Sequence, residues 1–192
     1  MSTALHRSAV ATLSAWQPPD EAQNTLRHTY LAFLDATPDA CLRRSVPGHL
    51  TASVIVLDAT HSHVLLTLHP RVGAWIQLGG HCEPDDASIA DAALREGREE
   101  SGIENLDLSA GIAGLHTHPI TCSLGVPTRH LDVRFVAVTA PVSDGSLPPI
   151  TRSDESTDLA WWPVDALPDN HGTDLPELIG QARIALRRST GA

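Results

Sequence analysis

The chain has 192 residues, 42% of them hydrophobic, and a formal net charge of −10, which together predict one globular domain with a sizeable core. All 13 basic residues are arginine, so enzymes that need a lysine for a Schiff base or a P-loop are excluded. The acidic balance and the absence of a run of ~20 apolar residues argue against nucleic-acid polymers and membranes as partners. The opening MSTALHRSAVATLSAW lacks the apolar core of a signal peptide, and we expect a cytoplasmic protein.

Two helices are predicted at the start of the chain. The first spans residues 3–16 and ends before a Pro-Pro pair. Asp20 is a suitable N-cap for the second, which spans residues 20–36 and carries apolar side chains at helical spacing. Residues 1–46 are therefore predicted to form a helical N-terminal extension that packs on the main domain, residues 47–192.

The main domain is predicted to alternate between strands and helices. A helix should run from Asp86 or Ser88 to Ser101, where Gly102 ends it, and a last helix should span residues 174–189. β-branched and apolar runs predict six strands, the first two forming a hairpin. These strands span residues 50–57, 63–68, 75–78, 112–118, 130–140 and 158–163. The pattern predicts an α/β sandwich with a mixed sheet.

Acidic residues are concentrated in and around the predicted middle helix. Nine of the 23 acidic residues lie within residues 83–107, which contain only two arginines. On a helical wheel Glu96, Glu99 and Glu100 fall within an arc of about 100°. The like-charge pair Glu96–Glu100, one turn apart, costs a few tenths of a kcal/mol. A hard divalent cation such as Mg²⁺ or Mn²⁺ would turn this repulsion into ligation, because such ions prefer carboxylate oxygens.

The segment GGHCEPDDASIADAALREGREESGI, residues 79–103, resembles the signature of the Nudix hydrolases. That signature has a glycine, a glutamate after five residues, and after seven more Arg-Glu-apolar-x-Glu-Glu-x-Gly-apolar. The loop WIQLGGHCE is similar to that of a bacterial Nudix subgroup with a GGHxE loop. The second half of the signature is matched by Arg95, Glu96, Glu99, Glu100, Gly102 and Ile103.

The resemblance implies a Nudix α/β/α sandwich and a divalent-metal-dependent hydrolase. The expected reaction is cleavage of a diphosphate linkage in a small nucleoside-diphosphate-type substrate. In the family the positions of Glu96, Glu99 and Glu100, with the carbonyl of Gly80, hold Mg²⁺ or Mn²⁺. Because Nudix proteins often dimerise, a homodimer is a further expectation.

Two departures from the signature concern the loop and the helix. Between Gly80 and Arg95 there is one residue more than usual, so the signature glutamate falls on Ala87 or shifts to Asp86. Asp86 would then support Arg95 or only cap the helix. Gly97 stands at the apolar position and costs about 1 kcal/mol of helix propensity, which close packing would explain.

Catalytic roles are implied for Arg95 and for two acids. Glu100 is a candidate general base, although ligation alone would also explain it. Glu155, in a late loop, is the other candidate base, and a solvated loop acid would explain it equally well. Phosphate clamps must be arginines because lysine is absent. Arg71 is the first candidate clamp and Arg129 the second, and a surface salt bridge is the alternative for each.

Histidines and a tryptophan complete the predicted substrate site. His81 lies in the glycine loop, and His118 alternates with His116 on a strand, so that the two share a face. With His130 they would line the pocket, while a structural role is the alternative for His116 and His130. Trp75 is a candidate for stacking on a base, with core packing as the alternative.

Other functions are compatible with parts of the pattern. A catalytically silent Nudix-fold sensor would bind a nucleotide without cutting it, although such proteins often lose signature carboxylates. An isopentenyl diphosphate isomerase-like enzyme would need a catalytic cysteine, for which Cys82 and Cys122 are candidates. A zinc site assembled from His81, Cys82 and His118 is a further alternative. A purely structural domain would leave the carboxylate cluster unexplained.

Overall fold

The structure, a computed structural model, describes residues 3–121 and 125–191. Within them the elements are α1 (Ala4–Ala15), α2 (Glu21–Ala36), β1 (His49–Leu57), β2 (His63–His69), β3 (Ala74–Ile76), β4 (Leu78–His81), α3 (Ile89–Ser101), β5 (Leu108–Thr121), β6 (Pro127–Val138), β7 (Asp158–Pro163) and α4 (Leu175–Ser189). The predicted strand 75–78 is instead two strands, because β3 pairs with β2 whereas β4 pairs with β1. No helix in the described ranges is long and apolar enough to cross a membrane.

A mixed sheet forms the centre of the described chain. Its main path runs in the order β3-β2-β1-β6-β5, while β4 also pairs with β1 and β7 pairs with β2. β1 and β6 are parallel and the remaining pairs are antiparallel. Every residue of β1 is buried, as expected of a strand that has neighbours on both sides and is covered on both faces. The mixed sheet of the sequence prediction is confirmed.

Helices cover both faces of this sheet. Along β1, Val54 and Val56 point to the face that α3 covers, whereas Ile55 and Leu57 pack with the apolar side of α4. This alternation is the two-residue period of a strand buried on both faces. The predicted α/β/α sandwich is therefore confirmed, and β1 is the strand around which both layers pack.

The N-terminal helices are part of the same core. Buried Leu5, Tyr30 and Leu34 belong to one apolar cluster with the inner face of α3. The Gln23 side chain bonds both backbone groups of Leu115: its Oε1 accepts from the N–H at 2.7 Å and its Nε2 donates to the carbonyl at 3.1 Å. These bonds pair the extension with β5 much as a neighbouring strand would.

Helix α3 comes closest to the sheet at Gly97. A Cβ at this position would lie 2.7 Å from Val54 Cγ1 and 2.9 Å from Leu106 Cδ2, inside van der Waals contact. The close approach is the packing reason for a glycine in the middle of a helix, where it otherwise costs about 1 kcal/mol. It also sets how near the carboxylates of α3 lie to the glycine loop.

We expect Gly97→Ala to lower the free energy of unfolding by about 1–3 kcal/mol, because overpacking outweighs the gain in helix propensity. Gly180→Ala is the matched control: it lies in α4, and a Cβ there meets no atom within 4 Å. This control should raise stability by roughly 0.5–1 kcal/mol. Urea unfolding measures both changes. Equal stabilisation by the two alanines would contradict the packing explanation.

Candidate active site

A polar cavity of about 540 Å³ lies between the glycine loop, α3 and the ends of β5 and β6. A second cavity, of about 420 Å³, lies between α1 and α4 and has no carboxylate in its lining, so the first is the candidate active site. Most residues predicted for the site line the first cavity. They are Arg71, Gly80, His81, Arg95, Glu96, Glu99, Glu100, His118 and Glu155.

Two glycines bring the loop against the carboxylates of α3. Gly79 has a φ of +147°, and a Cβ there would lie 2.7 Å from the Ala52 carbonyl oxygen, so only glycine fits. Its N–H donates to Glu100 Oε2 at 2.8 Å. A Cβ on Gly80 would lie 2.7 Å from the carboxylate of Glu96. The pair Gly79-Gly80 therefore lets two glutamates approach the backbone directly.

The two glutamates held by this loop are withdrawn from solvent, Glu100 fully and Glu96, with a 12% exposed side chain, in part. Glu100 is 5% exposed, and burial raises its pKa to about 8, with Glu96, Glu155 and Glu99 adding repulsion. Burial likewise raises the pKa of Glu96 to about 7, although Arg95 opposes the shift. The Glu99 side chain is 60% exposed. The site thus collects negative charge that the protein compensates only in part.

Arg95 ties the loop to the helix. Its Nε and Nη2 donate to the two oxygens of Asp86 at 3.0 and 3.1 Å, and Nη2 also donates to the His81 carbonyl at 2.9 Å. Its Nη1 donates to Glu96 at 3.0 Å and to Glu99 at 3.1 Å. The sequence left open whether Asp86 supports Arg95 or only caps the helix, and these bonds show that it supports Arg95. A bidentate pair of this kind fixes the orientation of the guanidinium.

The wall opposite the helix holds a hydrogen-bond network that the sequence prediction missed. Asp132 is buried and accepts from Thr51 Oγ1 at 3.0 Å, Ser53 Oγ at 2.8 Å and Arg134 Nε at 2.9 Å. Gln77 Nε2 reaches the same carboxylate at 3.4 Å. The alternation of polar residues along the predicted strand 130–140 was the available signal, because such residues share one face.

The predicted histidine cluster is only partly in the cavity. His118 and His130 are cross-strand partners with ring centroids 5.2 Å apart, and both line the cavity. Burial lowers the pKa of His81 to about 3 and that of His130 to about 4, so both are uncharged at neutral pH. His116 does not line the cavity, and its Nε2 lies 3.8 Å from Asp174 Oδ2.

The structure places two of the predicted substrate contacts outside the lining of the cavity. Trp75 is 7% exposed and packs edge to face on Trp162, with ring centroids 5.4 Å apart. Its neighbour Ile76 lines the cavity, and strand alternation turns Trp75 to the other face. Arg129 is exposed and does not line the cavity, because it alternates with His130, which does.

The structure does not bring together the alternative zinc set of His81, Cys82 and His118. Cys82 is buried in the apolar cluster beneath α3 and does not line the cavity. The same burial removes Cys82 as the catalytic cysteine of an isomerase-like reaction. Cys122, the other candidate cysteine, lies outside the described residues.

The sandwich, the glycine loop and the glutamate-bearing helix define a hydrolase of the Nudix class. The sequence matches the NUDIX domain over residues 47–181, most of the chain, and the protein belongs to the Nudix hydrolase family. No curated protein matches the sequence significantly.

Solved structures share this fold. The chain is similar to a NUDIX-family hydrolase from Clostridium perfringens, with 25% identity and a TM-score of 0.50 over 73% of this chain and 97% of that chain. The MutT protein from Methanosarcina mazei Go1 has 17% identity and a TM-score of 0.55, covering 73% and 96%. The E. coli dihydroneopterin triphosphate pyrophosphohydrolase has 20% identity and a TM-score of 0.55, covering 70% and 94%.

Proposed function

We propose that the protein is a divalent-metal-dependent hydrolase that cleaves a diphosphate linkage in a small nucleoside-diphosphate-type substrate. The observation that carries the proposal is the pair of acids, buried Glu100 and half-buried Glu96, held against Gly79 and Gly80 in a polar cavity. Buried carboxylates that repel one another are costly unless a cation or a catalytic role compensates them.

The donor set fits a hard divalent cation. The carboxylates of Glu96, Glu99 and Glu100, with the carbonyl of Gly80, would hold Mg²⁺ or Mn²⁺, because both ions prefer oxygen ligands. The raised pKa values of Glu96 and Glu100 support this assignment, since they report negative charge that is poorly compensated by the protein itself. When bound, the ion supplies charge neutralisation on a phosphoryl oxygen and lowers the pKa of a coordinated water.

The chain's own residues bind and orient the substrate. Arg71 lies at the cavity wall, where its guanidinium can clamp a phosphate. His81 and His118 also line the cavity, where their ring nitrogens can form hydrogen bonds to the substrate. Arg95, fixed by Asp86, orients the carboxylates of the helix.

Hydrolysis requires one proton transfer and one bond cleavage. A water oxygen attacks phosphorus, its proton passes to a carboxylate, and the bond from phosphorus to the bridging oxygen breaks. Glu155 is an exposed loop acid at the same cavity and raises the pKa of both Glu96 and Glu100. We propose Glu155 as the base, with Glu100 as the alternative.

A substrate panel tests the proposed reaction. Damaged nucleoside triphosphates, dinucleotides, nucleotide sugars and coenzyme A derivatives would each be incubated with Mg²⁺ or Mn²⁺, and phosphate or nucleotide release would be measured. We expect release with at least one compound and none in chelator. Saturable binding without release would favour the silent sensor, and conversion of isopentenyl diphosphate to its isomer would favour the isomerase-like enzyme.

Asp86 is predicted to act on turnover through Arg95. Asp86→Ala should lower kcat by about 10- to 100-fold with a smaller change in KM, because partners that orient a metal-site group have effects of this size. Asp86→Glu should restore part of the loss, since it keeps a carboxylate for the guanidinium. Steady-state kinetics measure both.

Asp85→Ala is the matched control for this prediction, because Asp85 is an exposed acid one residue away. It should leave kcat unchanged. Equal losses for Asp85→Ala and Asp86→Ala would contradict the positioning role, as would full turnover in Asp86→Ala.

We further propose that residues 1–46 are an extension fused to a single Nudix unit, residues 47–192. Their buried contacts with α3 and β5 support this. A cytoplasmic location is supported by the free thiols of Cys41 and Cys82, since disulfides persist in oxidising compartments. The predicted homodimer remains a proposal that light scattering of the full chain would test.

A further inference from the structure

Three histidines from adjacent strands converge beside the glutamate-bearing site. β1 pairs with β4 on one side and with β6 on the other, and this places His49 opposite His130 and Thr51 opposite His81. The ring centroid of His49 lies 5.1 Å from that of His81 and 5.0 Å from that of His130. One ring nitrogen of each histidine lies within 4.8 Å of the other two. The sheet itself therefore holds three imidazole donors together.

His49 has the hydrogen bonding of a metal ligand. It is 1% exposed, and its Nδ1 lies 3.2 Å from the Ser45 carbonyl. Because a carbonyl can only accept, Nδ1 carries the proton and Nε2 presents its lone pair. In the described part of the chain this Nε2 is buried and has no hydrogen-bond partner. Histidines that bind metals donate their other N–H to a backbone carbonyl in the same way.

His130 contributes a second buried ring nitrogen of this kind. Among the described residues its Nε2 also has no hydrogen-bond partner. One unsatisfied buried polar atom costs about 1–3 kcal/mol, and a ligand bound by both nitrogens would relieve this cost at each of them. Burial lowers the pKa of both His49 and His130, and the neutral imidazole is the form that coordinates a metal.

We propose that His49, His81 and His130 bind a divalent transition-metal ion of the zinc type, at a site separate from the carboxylates of α3. Three imidazoles suit zinc and similar ions, whereas Mg²⁺ prefers oxygen. Zn–N bonds of about 2.0–2.1 Å in a tetrahedron require nitrogens roughly 3.3 Å apart, so the rings must close by small rotations. His81 and His130 line the cavity, and the fourth coordination position therefore opens towards substrate.

Arg43 competes with the ion for His81. Its Nη2 lies 3.0 Å from His81 Nδ1 and must donate there, because a guanidinium has no acceptor. Coordination through Nδ1 would displace this donor, and coordination through Nε2 would require a proton on Nδ1. In either case the exposed Arg43 side chain has to move away. Removing it should therefore tighten zinc binding.

Zinc titration of the full chain tests the site. Calorimetry in millimolar Mg²⁺, which occupies the carboxylates, should show one equivalent of Zn²⁺. His81→Gln and His130→Gln should each weaken binding by at least about 100-fold, and Arg43→Ala should tighten it by about 10-fold. His81 and His130 are both only half-buried, so either variant keeps the test decisive if the other unfolds. X-ray absorption should show only nitrogen or oxygen neighbours at about 2.0–2.1 Å.

Two controls separate this site from its surroundings. His118→Gln changes the ring next to His130 but no proposed ligand, and should therefore weaken zinc binding much less than His81→Gln and His130→Gln do. The double variant Glu96→Gln/Glu100→Gln should also keep zinc while losing Mg²⁺-dependent turnover. Loss of zinc binding in that double variant would overturn the proposal. So would unchanged zinc binding in His81→Gln and His130→Gln, or a sulfur neighbour in the X-ray absorption spectrum. Failure of the substrate panel would leave these results unaffected.

Discussion

Replacing Glu100 with glutamine should lower turnover by about 10³-fold or more while the fold is retained. In the wild type the Gly79 N–H donates to Glu100 Oε2 at 2.8 Å. Glutamine has nearly the same volume as glutamate and keeps an oxygen that can accept this hydrogen bond. It removes only the negative charge that the metal and the attacking water require. Because Glu100 is buried, the neutral side chain also relieves a desolvation cost. Turnover with Mg²⁺ and the thermal unfolding temperature should therefore change in opposite directions.

Three further variants show which carboxylates are responsible for activity. Glu104→Gln, an exposed acid just beyond the helix, should leave turnover unchanged. Glu99→Gln should lose turnover like Glu100→Gln, because both are expected ligands. Glu155→Gln should lower kcat without weakening metal binding if Glu155 is the base. Wild-type turnover in both Glu99→Gln and Glu100→Gln would mean that the metal assignment is wrong.

The sequence was most informative where function depends on local spacing. Glu96, Glu99 and Glu100 lie on one side of the helix because of the 3.6-residue period, and all three line the cavity. Gly102 ends the helix with a φ of +69°, as predicted from its position. These features involve residues within two helical turns of one another, so no knowledge of the rest of the fold is needed.

Strand register was the information that the sequence could not supply. Trp75 and Arg129 were assigned to the site by residue type, but alternation turns each to the opposite face from Ile76 and His130. His49 was not recognised because its role depends on the parallel pairing of β1 with β6, which are separated by about 80 residues. Loop and helix signals do not fix such distant pairings.

The metal-free protein should lose stability as the pH is raised from 7 to 8.5. Glutamate in an unfolded chain has a pKa of about 4.3, whereas Glu96 and Glu100 titrate at about 7 and 8 in the fold. Between these values the native state holds more protons than the unfolded state, so the free energy of unfolding falls with increasing pH. We expect a loss of about 1–2 kcal/mol over this window. Urea unfolding in chelator at several pH values measures it.

The double variant Glu96→Gln/Glu100→Gln isolates the two acids in this titration. The buried thiol of Cys41, whose pKa burial raises to about 12, also destabilises the fold at high pH, but it is common to both proteins and cancels in their difference. The variant should therefore show a smaller decline than the wild type. Mn²⁺ should abolish the decline in the wild type and have no such effect on the variant, because a bound cation favours the ionised carboxylates. Parallel pH profiles for the two metal-free proteins would show that Glu96 and Glu100 are already ionised at pH 7, and the argument for a cation from their burial would then fail.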